Sequence, residues 1–273
     1  MNHPRVNRPD GQDLWLAGGA GAPLEAAPEG DARSVQAGRP EGVRDASLKD
    51  GEAPPVGGEP HTGVVVPGTL FETVAAAPAG ETWRTFIAVE LPRPVKEAVG
   101  RLREQMPRAA PLPVRWVAPE AIHITLKFLG DIQPPQALEI AERLASAAAR
   151  SGRLSLRPGA TRAFPTLRAP RVLWAGFEGE TQRLAQFQSR VEGALSTLGI
   201  EPEREKFMPH ATAGRLDRDT RGPDLAMIGS AWARVKLPSD AVGDFEVTSV
   251  VLLRSHLGPD GPRYDRLFEA KLG

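Results

Sequence analysis

Two histidines, each followed two positions later by a threonine, are the residues whose types and spacing suggest chemistry. His123 and Thr125 lie in IHITLKFLG (Ile122–Gly130), and His210 and Thr212 lie in MPHATAGRL (Met208–Leu216). An imidazole with an ordinary pKa near ~6.5 populates both protonation states around neutrality. A pair of them can therefore take a proton from an attacking water and give one to a departing oxygen, which suffices for opening a phosphodiester. Alternation of Ile122, Ile124, Leu126 and Phe128 with His123, Thr125 and Lys127 predicts a β-strand with one apolar and one chemical face. His210 and Thr212 share a face in the same way, so the two strands can build one pocket around an anion. Each threonine hydroxyl sits about one strand repeat, roughly 6.5–7 Å, from its histidine and can bind a non-bridging phosphate oxygen. Lys127 and Arg215 supply nearby positive charge for the transition state. Arg215 has the wrong parity for the motif face unless a bulge at Gly214 intervenes. Neither motif carries a carboxylate or second histidine at ligand spacing, and Asp131 lies beyond the strand, so no metal is expected. His256, beside Gly258-Pro259, and His3 and His61 read as incidental.

The elements that must position these residues follow from the surrounding pattern. RTFIAVELP reads as a strand, and Val95, Val99, Leu102 and Met106 then fall at helical spacing, with Pro94 in the first turn. A short strand and a Pro-Glu turn lead into the first motif. Residues 134–150 predict a second, Ala-rich helix, and LSLRPGATRAFPTLRAPRVLWAGFEG two strands joined by a turn. A third helix is expected from about Thr181, as its cap, to Leu198, with Gly199 at its stop. The second motif, a weaker helix or loop around 220–232, and two final strands (DFEVTSVVLLRSHL and RYDRLFEAKL) complete the chain. Strands and helices thus alternate in two rounds, each with one His-x-Thr strand. The histidines lie 87 residues apart, compatible with duplicated halves.

Composition narrows the function classes. The 273 residues carry no net charge, but residues 1–80 hold 6 basic and 11 acidic side chains, leaving 28 basic and 23 acidic in 81–273. The second part is mildly basic, which suits an anionic substrate and falls short of a protein that coats nucleic acid. The absence of cysteine excludes disulfides, a thiolate nucleophile and Cys-based zinc sites. No apolar run approaches the roughly 20 residues of a membrane span, and the N-terminus lacks the order of a secretory signal, so a soluble cytoplasmic protein is expected. Gly and Pro occupy 23 of the first 80 positions. That composition predicts a disordered extension over 1–80 and a folded catalytic domain over 81–273. GVVVPGTLF (Gly63–Phe71) is the one stretch of the extension able to pair with something.

From Arg84 to the C-terminus, about 190 residues, the chain resembles the two-histidine phosphoesterases, in particular the RNA 2′,3′-cyclic phosphodiesterase (LigT-like, 2′-5′ RNA ligase) branch. RTFIAVELP, VRWVAPEAIHITLKFLG, AFPTLRAPRVLWAGF, FMPHATAGRL and LLRSHLGPDGPRYDRL carry the resemblance, in family order. It implies an α+β, bilobal fold: two antiparallel sheets facing a central cleft, one motif strand in each, helices outside. It implies opening of an RNA 2′,3′-cyclic phosphate to a 2′-phosphate. No cofactor, membrane or obligate protein partner is implied. By resemblance His123 is the proton donor to the leaving 3′ oxygen and His210 the acceptor that activates water. Thr125 and Thr212 bind phosphate oxygens, and Tyr264 in GPRY lies near the pocket. Phe207 reads as a core residue. The second motif departs from the family where HATAGR places small residues on the core face, which predicts weaker packing there. Ligation of 2′-5′ linkages or hydrolysis of a small cyclic nucleotide in the same pocket, or RNA binding without turnover, are the alternative functions.

Overall fold

The computed structural model describes residues 68–108, 112–238, 242–258 and 261–273. The extension expected over 1–80 lies mostly outside the described residues, but its last part does not. α1 (Gly68–Ala75) is helical, and Leu70 is 1% exposed in the main core. The expected boundary at residue 81 therefore falls after a described helix, because Leu70 supplies an apolar contact that composition averages conceal.

The remaining elements follow as β1 (Trp83–Glu90), α2 (Arg93–Arg101), β2 (Val114–Trp116), β3 (His123–Ile132), α3 (Gln136–Ala149), β4 (Leu154–Pro165), β5 (Pro170–Gly179), α4 (Thr181–Ser196), β6 (His210–Leu216), α5 (Pro223–Trp232), β7 (Phe245–Val247), β8 (Ser249–Gly258) and β9 (Gly261–Lys271). The expected helices are all present. Thr181 is the first helical residue of α4 rather than its cap, a position held by Glu180. Gly199 stands just beyond, at φ 75°, where glycine pays no steric penalty.

The strands run antiparallel in the order β7-β4-β5-β6-β3-β1-β8-β9, with β2 on β6. The α+β, two-lobed antiparallel expectation holds with one refinement. The lobes, β7-β4-β5-β6 and β3-β1-β8-β9, are not separate sheets; they join edge to edge where the two motif strands meet. That seam is narrow, with Ile124↔Ala211 as its registered pair. The main apolar cluster fills the side where α1 to α5 pack and includes Ile124, Leu126, Ala211, Leu173, Phe187 and Trp232. The opposite face of the β3-β1-β8-β9 lobe has its own small cluster of Phe86, Ala88, Val251 and Leu253, with Phe128 and Tyr264 packed on it.

The small residues of the second motif do not leave the seam loose. Ala211 and Ala213 are 0% and 3% exposed. A Cβ on Gly214 would come within 2.8 Å of Val114 Cγ1 and 2.9 Å of Trp116 Cε3. The space is already filled from β2, so the expected weakening is offset by Trp116 packing on the glycine.

Truncating Leu70 to alanine should lower unfolding free energy by about 2–3 kcal/mol, read from urea denaturation, since the site is fully buried. An unchanged midpoint would place α1 outside the cooperative unit.

Candidate functional site

The seam fixes where the motif side chains go. Ile124 and Ala211 are direct partners, and both are 0% exposed in the core. Their neighbours on each strand must therefore emerge on the other face. Continued one residue each way, the register sets His123 opposite Thr212 and Thr125 opposite His210. Diagonal neighbours in such a ladder stand about 7–8 Å apart, so the two imidazoles rise from one face of the sheet, close enough for His123 to feel the charge of His210, with a threonine opposite each.

Both imidazoles are oriented by the same device. His123 Nδ1 donates to the Ala121 carbonyl at 2.8 Å, and His210 Nδ1 donates to the Met208 carbonyl at 2.7 Å. A carbonyl only accepts, so in each neutral ring the Nδ1 atom holds the proton and Nε2 is the reactive nitrogen. His123 Nε2 lies 3.1 Å from Thr125 Oγ1. Aromatic rings flank both. Phe86 lies 4.8 Å from the His123 ring, and Tyr264 5.3 Å from it in an edge-on contact. Phe164 and Trp174 lie 5.1 and 5.5 Å from the His210 ring. None of Phe86, Phe164 and Trp174 stands out in the sequence as a site residue. The sequence signal for them was their place in the strand blocks flanking the motifs.

A bulge in each motif strand decides which later residue joins the site. Opposite β1, the register passes from Thr125 to Lys127 while β1 advances from Ala88 to Ile87, so Leu126 is the extra residue. Opposite β5, Ala213 is extra in the same way. Each bulge thus falls three residues after its histidine and reverses the alternation beyond it. In β6 this brings Arg215 onto the face of His210 and Thr212, with the shift at Ala213 rather than Gly214. In β3 it brings Phe128 to that face and turns Lys127 away. Lys127, expected at the substrate, is 3% exposed; its Nζ donates to the Glu201 carbonyl at 2.5 Å and lies 3.1 Å from Glu192 Oε2. It ties β3 to α4 and to the loop leading into the second motif, and it does not reach the site.

The site is desolvated and electropositive. Burial first, then Lys96, His210 and Arg215, push the His123 imidazole down to about 4, against the opposing Ala121 hydrogen bond. Burial and Arg215 lower the His210 imidazole, against Met208. Burial lowers Arg215 and raises Tyr264, and these two groups attract one another. Of the sequence candidates, His123, Thr125, His210, Thr212, Arg215 and Tyr264 come together and Lys127 does not. Beside the Tyr264 side of this site lies a cavity of about 790 Å³ lined in part by Lys96, His123 and Tyr264. His256 lines its edge, with Nε2 2.7 Å from Asp265 Oδ2. Among the described residues no three His, Asp or Glu side chains converge as a metal site would require.

The model of the LigT-like phosphoesterases matches residues 89–174 and 177–264, the segments that hold both motifs and Tyr264. The chain belongs to this family. It is 36% identical over 173 residues to an RNA 2′,3′-cyclic phosphodiesterase of Aeropyrum pernix, covering 63% of this chain and 94% of that protein. A namesake from Archaeoglobus fulgidus is 34% identical over 190 residues, covering 68% and 99%. Among solved structures, a Thermus thermophilus protein superposes with TM-score 0.56 at 25% identity, covering 69% of this chain and 97% of its own. Escherichia coli LigT in complex with 3′-AMP gives 0.54 at 24% identity, covering 70% and 99%, a likeness of fold.

Replacing Lys127 by methionine should destabilise the protein by about 3–5 kcal/mol by stranding the Glu192 carboxylate. The double variant with Glu192→Gln should recover much of that loss in denaturation. Full stability in the single variant would show that the ion pair holds nothing.

Proposed function

We propose that this LigT-like phosphoesterase opens RNA 2′,3′-cyclic phosphodiester ends to 2′-phosphomonoesters by acid–base catalysis between His123 and His210. The observation that carries the reading is the direct pairing of Ile124 with Ala211, which sets both His-Thr pairs around one space. The names of the Aeropyrum and Archaeoglobus relatives supply the substrate class.

The step balances without further groups. A water oxygen attacks phosphorus as His210 Nε2 takes its proton. The bond from phosphorus to the 3′ oxygen breaks as protonated His123 Nε2 delivers a proton to that oxygen. Thr125 and Thr212 hold the non-bridging oxygens, and Arg215 offsets the charge that accumulates on them. The buried, positive surroundings that depress His123 also make its conjugate acid a strong donor. They are reversed in part when an anionic diester arrives, because an opposite charge favours the protonated ring. Tyr264 packs edge-on against His123 and limits its ring rotation. Nothing in this scheme calls for a cofactor, and a soluble cytoplasmic protein acting on RNA ends fits the role.

Three measurements test the reading. His123→Ala and His210→Ala should each cut turnover of an oligonucleotide 2′,3′-cyclic phosphate by about 10²–10⁴-fold, while excess chelator leaves the rate unchanged. Near wild-type turnover in either variant would reject the assignment. The product should retain its phosphorus on the 2′ hydroxyl; recovery of a joined RNA in place of a 2′-phosphate would point to ligation instead. The pH profile of kcat/KM reports the free enzyme. Since both imidazoles are lowered there, His123 to about 4, the bell should have both limbs below the ordinary histidine value. The rate should fall on the acid side as the acceptor protonates and on the alkaline side as the donor loses its proton. In kcat both limbs should move upward, because the bound diester stabilises the imidazolium. Limbs at or above the ordinary value in kcat/KM would contradict the desolvated site.

A further inference from the structure

The two lobes present unlike surfaces around the shared pocket. Partners across an antiparallel ladder lie on one face, so the register reads out which residues continue the site. One row runs from Thr212 to Trp174 on β5 and Arg162 on β4. The next runs from Arg115 on β2 through Arg215 and Val172 to Phe164. Ala163 and Leu173, which alternate with these positions, are buried in the main core, so Arg162 and Trp174 face away from it. Arg162 and Arg115 are exposed. The corresponding face of the other lobe carries an apolar cluster, its Arg266 is already engaged by Glu90 and Glu269, and its further basic groups, Lys96 and Arg263, line the cavity beyond Tyr264.

Arg115 and Arg215 are direct cross-strand partners. Like charges so placed repel, and Asp217, 3.3 Å from Arg115 Nε at the surface, offsets this only in part. An anion lying over the pair would relieve the repulsion. Arg162 sits two strand spacings, roughly 10 Å, from Thr212, on the far side of the Trp174 ring. The buried Trp174 ring is covered by half-buried Phe164, stacked on it at 4.7 Å. Cations on either side of such a ring, leading away from the paired histidines, are the arrangement that follows a single-stranded polynucleotide.

We propose that the RNA strand 5′ to the terminal cyclic phosphate lies across the β4-β5-β6 lobe, with Arg115 and Arg162 holding backbone phosphates. The preferred substrate is then an oligonucleotide, not a nucleoside cyclic monophosphate. This rests on the reaction proposed above and assigns a direction and two specificity residues to it.

The test compares wild-type protein with Arg115→Ala and Arg162→Ala in two assays. In turnover, wild type should prefer a short RNA with a 2′,3′-cyclic end over a nucleoside 2′,3′-cyclic monophosphate in kcat/KM. Each variant should lower that preference about tenfold, mainly through KM, the size expected for one charge-assisted contact. In fluorescence anisotropy, a labelled RNA ending in 2′-phosphate should bind with a salt dependence whose log–log slope shrinks by about 0.7 in each variant. Equal kcat/KM for both substrates in wild type, or an unchanged slope in both variants, overturns the track. If neither substrate is turned over while the slopes still shrink, the reaction assignment fails and the track stands.

Discussion

A single pair of facing residues in the middle of the sheet governs where the motif side chains stand. Ile124 and Ala211 meet at the narrow seam where the sheet passes from one lobe to the other, and both turn wholly into the core. Because side chains alternate along a strand, burying these two forces His123, Thr125, His210 and Thr212 to the opposite face. A slip of one residue would send all four into the apolar interior. The apolar transfer energy that holds Ile124 in place therefore also holds the two histidines on one face.

The two motif strands repeat one design with different outcomes. Each carries an extra residue three positions after its histidine, and each therefore presents the fifth residue beyond the histidine to the site. In β6 that residue is Arg215, which places a cation beside the pocket. In β3 it is Phe128, which packs with Phe86 and Tyr264 to wall the His123 side. One lobe thus contributes a cation as well as the Phe164 and Trp174 rings beside His210, and the other encloses His123 with aromatic side chains. The residue before each bulged-in position goes to the interior. Gly214 does so because no larger residue fits beneath Trp116. Lys127 does so because Glu192 and the Glu201 carbonyl receive its charge.

That inward lysine connects the lobes by a second route. Lys127 stands on the strand of His123, while the loop it grips leads toward Met208, whose carbonyl orients His210. A buried ion pair is a poor source of net stability, because desolvating both charges costs much of what their attraction returns. Its geometry nevertheless fixes the approach of one motif to the other.

The sequence by itself determined the paired His-x-Thr motifs, their strand character, the order of elements and the family. These follow from residue type and from a periodicity of two, which are local properties of the chain. Tertiary structure decided which basic residue reaches the site. Lys127 and Arg215 look alike in one dimension, four and five positions after their histidines, and only the register against β1 and β5 sorts them, because a bulge exists only relative to a partner strand. The aromatic enclosure by Phe86, Phe164 and Trp174 was hidden for the same reason, since those rings come from strands adjacent in the sheet rather than in sequence. Helix α1 was hidden as well, because one buried leucine outweighs the Gly- and Pro-rich composition around it once a core exists to receive it.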